Sequence, residues 1–184
     1  MRHDRPTILL LAACLALAGC TTFHSTAAPE RAAAGEPRPA RHYQAQLMAD
    51  DGTLIRFTVY QPALAPGARA PLILHTHGFG LHRMSRPHFN LYATFLEPGK
   101  AARLAWQRGY WVISYDQRGH GDAADEMGPA ALGDVTRMAR FLGEVDGVDG
   151  RRICARGSSM GGFMAIHAAA TSDAIGGVIA ICPA

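Results

Sequence analysis

Lysine is nearly missing: Lys100 is the only one among the 18 lysines and arginines of a 184-residue chain. Against 15 acidic residues this leaves a net charge of +3. Arginines and the lone lysine form no run, so nucleic acid is excluded as an expected partner. Long hydrophobic runs are also missing. The small-and-apolar stretch at 8–18 falls well short of the roughly 20 residues that a bilayer-spanning helix needs. There are four cysteines, and none stands at metal-ligand spacing, so neither a metal nor a cofactor is expected. No internal repeat is visible, which excludes solenoids and propellers. What remains is 48% hydrophobic and 18% charged. That is an ordinary globular composition, with enough chain for one domain and one core.

The first twenty residues form a separate object. Arg2, His3 and Arg5 precede the apolar run from Ile8 to Ala18, and the pattern reads as a signal peptide, residues 1–19. It ends in Leu17-Ala18-Gly19-Cys20, which resembles the lipobox of bacterial lipoproteins. That resemblance implies Cys20 as the lipid-bearing mature N-terminus and a membrane partner reached through the N-terminal lipid. A plain secretory signal with a coincidental Cys is the competing reading. Thr21, where an Asp would divert sorting, implies the outer membrane of the cell envelope, facing the periplasm. Residues 20–40, rich in Ala, Pro, Glu and Arg, read as a flexible tether. Cys154 and Cys182 remain. An oxidising compartment permits a disulfide, but their place in expected strands favours buried free thiols.

From Arg41 to Ala184 the pattern is that of a domain. Tyr43–Met48 and Thr53–Tyr60 read as strands joined at Asp50-Asp51-Gly52, with Ile55, Phe57 and Val59 alternating on one face. Then the period changes. Leu72–Thr76, Trp111–Tyr115, Arg152–Arg156 and Gly177–Cys182 are short runs suited to strands covered on both faces. Helical spacings lie between them: Gly99–Arg108, stopped by Gly109; Ala131–Glu144, with Val135, Met138, Ala139 and Leu142 on one stripe; and Met160–Ala170, apolar enough to be buried. Strand-helix alternation after a hairpin predicts an α/β, doubly wound, mostly parallel sheet.

Three loops carry chemistry-bearing residues, each at an expected strand end. In Gly157-Ser158-Ser159-Met160-Gly161-Gly162, a strand must turn abruptly into a helix around the central Ser, and glycines two before and two after let the backbone pack that tightly. An ordinary Gly/Ser turn could carry the same letters. Ser158 is the rival nucleophile, but it occupies the variable position. His77-Gly78-Phe79-Gly80 follows the strand at 72–76, and the His77 side chain itself reads as a turn residue. Asp116-Gln117-Arg118-Gly119-His120-Gly121 follows the strand at 111–115. It reads as architecture rather than as a base or metal site.

Together and in this order, the three loops over Tyr43–Ala184 resemble the α/β-hydrolase superfamily, in particular bacterial esterases and dienelactone-hydrolase or acyl-peptidase relatives. The resemblance implies a serine hydrolase acting on a small-molecule ester, thioester or small amide through an acyl-enzyme on Ser159. The backbone N–H groups of Phe79 and Met160 would hold the oxyanion. An acyltransferase of the same fold is the near alternative.

The family order is nucleophile, acid, histidine. After Ser159 the only histidine is His167, about two turns into the following helix and carried away from Ser159 by helix geometry. The triad acid and base are therefore expected outside these 184 residues. The chain reads as strands 1–6 of the fold without the last two, either the N-terminal part of a longer reading frame or a truncated, non-catalytic remnant. Arg83, Arg86 and His88 could line the site's mouth, with a solvated loop the simpler expectation.

Overall fold

The computed structural model describes residues 36–83, 98–123 and 127–183. The expected signal peptide, Cys20, most of the expected tether, Arg86 and His88 lie outside them. Six strands form one sheet: β1 Arg41–Met48, β2 Leu54–Gln61, β3 Ala70–Thr76, β4 Trp111–Tyr115, β5 Val148–Ser158 and β6 Gly177–Ile181. Three helices accompany them: α1 Pro98–Gln107, α2 Ala131–Gly143 and α3 Met160–Thr171. The strand order is β1-β2-β4-β3-β5-β6. The β1-β2 and β2-β4 pairs are antiparallel, and β4-β3-β5-β6 are parallel. This is the α/β, mostly parallel, doubly wound sheet that the sequence pattern predicts.

Helices cover both faces because the strands are apolar on both. On one face Leu72, Leu74, Trp111, Ile113 and Ala155 pack with Val135, Met138 and Ala139 of α2 and Met164, Ala165 and Ala168 of α3. On the other, Tyr60 and Val112 meet Ala102 of α1, flanked by Ile73 and Trp106. Trp111 is 2% exposed, and its indole N–H donates to the Gly147 carbonyl at 2.8 Å. Burying a side chain of this kind contributes about 1.5–3 kcal/mol.

Several boundaries differ from the sequence expectation. β5 begins at Val148 rather than Arg152 because Ala70 of β3 pairs with Val148 across a register shift. The domain's own contacts begin before Arg41, since Arg38 and Leu64 exchange backbone hydrogen bonds of 2.9 Å and the Arg38 side chain reaches Asp146. Cys182 lies beyond β6 and is exposed, while Cys154 is half-buried; both are free thiols. α3 is not fully buried either: Phe163 and Ile166 are 47% and 45% exposed, because only one side of the helix meets the sheet and α2.

Candidate active site

In an open α/β sheet, ligand sites form beyond the carboxyl ends of strands where the winding reverses. Here the chain runs from β3 to β4 on one side, then crosses to β5 on the other side of β3. The crevice therefore lies at the ends of β3 and β5. Those ends carry His77-Gly78-Phe79 and Ser159.

Ser159 stands between β5 and α3 with φ 49° and ψ −127°, a backbone conformation that non-glycine residues avoid. Its surroundings hold it there. Its N–H donates to the Ile181 carbonyl at 2.9 Å, and its carbonyl accepts from Phe163 at 3.1 Å. The flanking glycines are required by space. A Cβ on Gly157 would overlap Thr76 Oγ1 and the Gly161 carbonyl, and one on Gly161 would overlap the Thr76 and His77 carbonyls. Thr76 Oγ1 closes the junction by donating to the Gly161 carbonyl at 2.7 Å. Ser159 is exposed, whereas its neighbour Ser158 is buried, so only Ser159 presents a hydroxyl to a ligand. Met160 opens α3, where an N–H has no partner within the helix. Gly78 lies against the elbow: a Cβ placed on it would stand 3.6 Å from Ser159 Cβ. Phe79, the next residue, is 76% exposed, and its ring meets the His120 ring edge-on at 5.2 Å.

The His77 side chain is fully buried and serves the loop. Burial chiefly holds its pKa below the ordinary value, and the nearby His120 and His82 act in the same direction. The neutral ring donates from Nδ1 to the Gly78 carbonyl at 2.8 Å and accepts the Gln117 N–H on Nε2 at 3.0 Å.

The loop at 116–121 is architectural, as expected, but its reach was not visible in the sequence. The Asp116 carboxylate, 1% exposed, accepts the Arg83 N–H at 2.7 Å and the Asp122 N–H at 2.9 Å, and pairs with the Arg83 guanidinium. Arg83 is therefore no solvated loop residue. It is 5% exposed and also reaches Asp122 at 2.8 Å. Arg118 grips Asp134 of α2 with two bonds of 2.8 and 2.9 Å and reaches Asp51 and Thr53 of the β1-β2 turn. Asp134 first, then Asp51, raises the Arg118 pKa. No spacing rule joins Arg83 to Asp116, 33 residues away, so sequence reading had no signal for that pair.

Among the described residues, no histidine or carboxylate is hydrogen-bonded to the Ser159 side chain. His167 instead neighbours Phe163 on α3, with ring centroids 6.4 Å apart. Nor do three His, Cys, Asp or Glu side chains among the described residues gather where they could hold a metal ion.

The model of the alpha/beta hydrolase family matches residues 72–184. The chain belongs to the α/β-hydrolase family. No curated protein matches it in sequence. Solved structures of similar fold include an α/β hydrolase from Penicillium sp. sh18, at TM-score 0.64 and 19% identity, covering 78% of this chain and 46% of that one. An esterase of Pyrococcus furiosus gives 0.63 and 17%, with coverage of 78% and 50%. Acetyl xylan esterase 1 from a Thermoanaerobacterium species gives 0.56 and 16%, with 74% and 46%. This α/β-hydrolase chain thus spans about half the length of the structures it matches.

Proposed function

We propose that the protein is a serine hydrolase that cleaves an ester, thioester or small amide through an acyl-enzyme on Ser159. The carrying observation is the exposed Ser159 at φ 49°, held against Gly78 at the end of β3. In this reading Ser159 Oγ attacks the acyl carbon and gives its proton to a general base. The substrate's C–O, C–S or C–N bond then breaks, its leaving group takes that proton, and water releases the acyl group from Ser159. The N–H groups of Met160 and Phe79 receive the developing oxyanion, a contribution worth roughly 3–4 kcal/mol per donor. The base and the acid that orients it reach Ser159 from outside the described residues. Esterase neighbours at the fold level support an acyl substrate. A fluorophosphonate probe tests the proposal on the longest natural product that contains this sequence. Labelling that disappears in Ser159→Ala supports it, and no labelling of the unaltered protein defeats it. Acyl transfer to an added alcohol in place of water would assign an acyltransferase.

We further propose that the protein acts at the cell envelope, anchored by lipid on Cys20 and facing the periplasm from the outer membrane. The support is the basic start, the apolar run and Leu17-Ala18-Gly19-Cys20. Cys20→Ala should move the protein from the membrane to the soluble fraction, and unchanged partition would reject the anchor.

A further inference from the structure

The Phe79 amide can serve an oxyanion only if the peptide at 77–79 keeps its place beside Ser159. Neither β3 nor the elbow alone secures that peptide, because β3 ends at Thr76. Two hydrogen bonds tie His77, at the start of that peptide, to Gln117 on the next strand's loop. The Gln117 side-chain amide donates to the His77 carbonyl, and the Gln117 backbone N–H donates to His77 Nε2 at 3.0 Å. A backbone N–H can only donate, so Nε2 is the unprotonated nitrogen of a neutral ring. The proton then sits on Nδ1, where it meets the Gly78 carbonyl at 2.8 Å. One side chain and one backbone amide thus hold His77 at both ends, and His77 passes the constraint to Gly78.

We propose that Gln117 is a positioning residue for the oxyanion-binding loop, locking His77-Gly78-Phe79 against the nucleophile elbow through this pair of hydrogen bonds. Its burial fits the role: Gln117 is 1% exposed and His77 is fully buried, so water does not compete for either bond. The consequence for catalysis rests on the serine-hydrolase reading above, whereas the lock itself does not. Loss of the side-chain donor leaves the substrate's binding surface in place and releases only the loop that must be rigid when charge develops. The deficit should therefore fall on kcat, not on KM.

The test uses Gln117→Met, which preserves length without a donor, and Gln117→Leu, which keeps a branched apolar side chain without a donor. Amide hydrogen exchange is read first, without substrate. The reporters are the residue-117 N–H, bonded to His77, and the Leu81 N–H, which donates to Gly78 at 3.2 Å. Both should exchange about tenfold faster in whichever variant folds, as one lost hydrogen bond implies. Unchanged exchange at both reporters overturns the proposal. On a chromogenic ester, kcat should fall about tenfold at constant KM, and an unchanged kcat overturns it equally. If the unaltered protein turns over no ester, the serine-hydrolase reading fails and the exchange result alone decides the lock.

Discussion

Gly78 and Ser159 are 81 residues apart in sequence, yet a Cβ added to Gly78 would lie 3.6 Å from Ser159 Cβ. The contact joins the loop after β3 to the turn after β5, and it exists because those two parallel strands are neighbours, with Thr76 paired to Gly157. How that junction is built decides what substitutions in and around it should do.

The strain at Ser159 should be recoverable as stability. A non-glycine residue at φ 49° costs of the order of 1–3 kcal/mol, and glycine is free of that cost. Ser159→Gly should therefore raise the unfolding free energy by about 1 kcal/mol, once glycine's larger unfolded-state entropy is subtracted. Urea titration reads the gain. A neutral or negative change would show that the elbow is unstrained.

Space, in contrast, governs Gly157. An alanine methyl would overlap Thr76 Oγ1 and backbone of Gly161, and backbone cannot rotate away. Gly157→Ala should cost about 3 kcal/mol or more, in the range of severe overpacking. Gly177→Ala is the control, because nothing lies within 4 Å of its added Cβ, and its stability should stay within about 0.5 kcal/mol. Equal losses in the two variants would contradict the packing account.

Removing Arg83 should cost far more than removing a surface partner. Arg83→Met leaves the Asp116 carboxylate buried with its two backbone donors but no cation, a loss of about 3–5 kcal/mol. Asp146→Asn breaks a pair whose carboxylate is 60% exposed, and should cost under about 1 kcal/mol. Chemical denaturation of both variants at neutral pH makes the comparison.

Acid should weaken the fold through His75. Burial, then the neighbouring Arg156, hold its pKa down to about 3, against 6.5 for the unperturbed group. The folded pKa is depressed, so between these values the unfolded chain binds the proton first. This contribution to stability is complete above pH 6.5 and drains away as pH falls toward about 3. Its slope reaches at most about 1.4 kcal/mol per pH unit. His75→Gln should flatten that dependence when unfolding is measured at about pH 7 and about pH 4.5, on either side of the unfolded group's titration. An unaltered slope would mean that His75 does not remain neutral in the fold.

Local pattern determined a good deal by itself. The apolar runs at Leu72–Thr76 and Trp111–Tyr115 marked central strands because continuous hydrophobicity over so short a stretch suits a strand buried on both faces. The glycine spacing around Ser159 marked a tight strand-to-helix turn because backbone sterics act over a few residues. Both signals are short-range, so they survive in the letters of the chain. Pairing across the sheet is not short-range. β4 and β5 flank β3, and that order brings Gly78 to Ser159 and Gln117 to His77. The buried Arg83–Asp116 pair likewise depends on two loops meeting, so Arg83 looked like a solvated residue until its neighbours were in place. The residue types suited to the site were readable in sequence; which of them touch was decided by the strand order, because hydrogen bonds and ion pairs act over a few ångströms of space however many residues separate the partners.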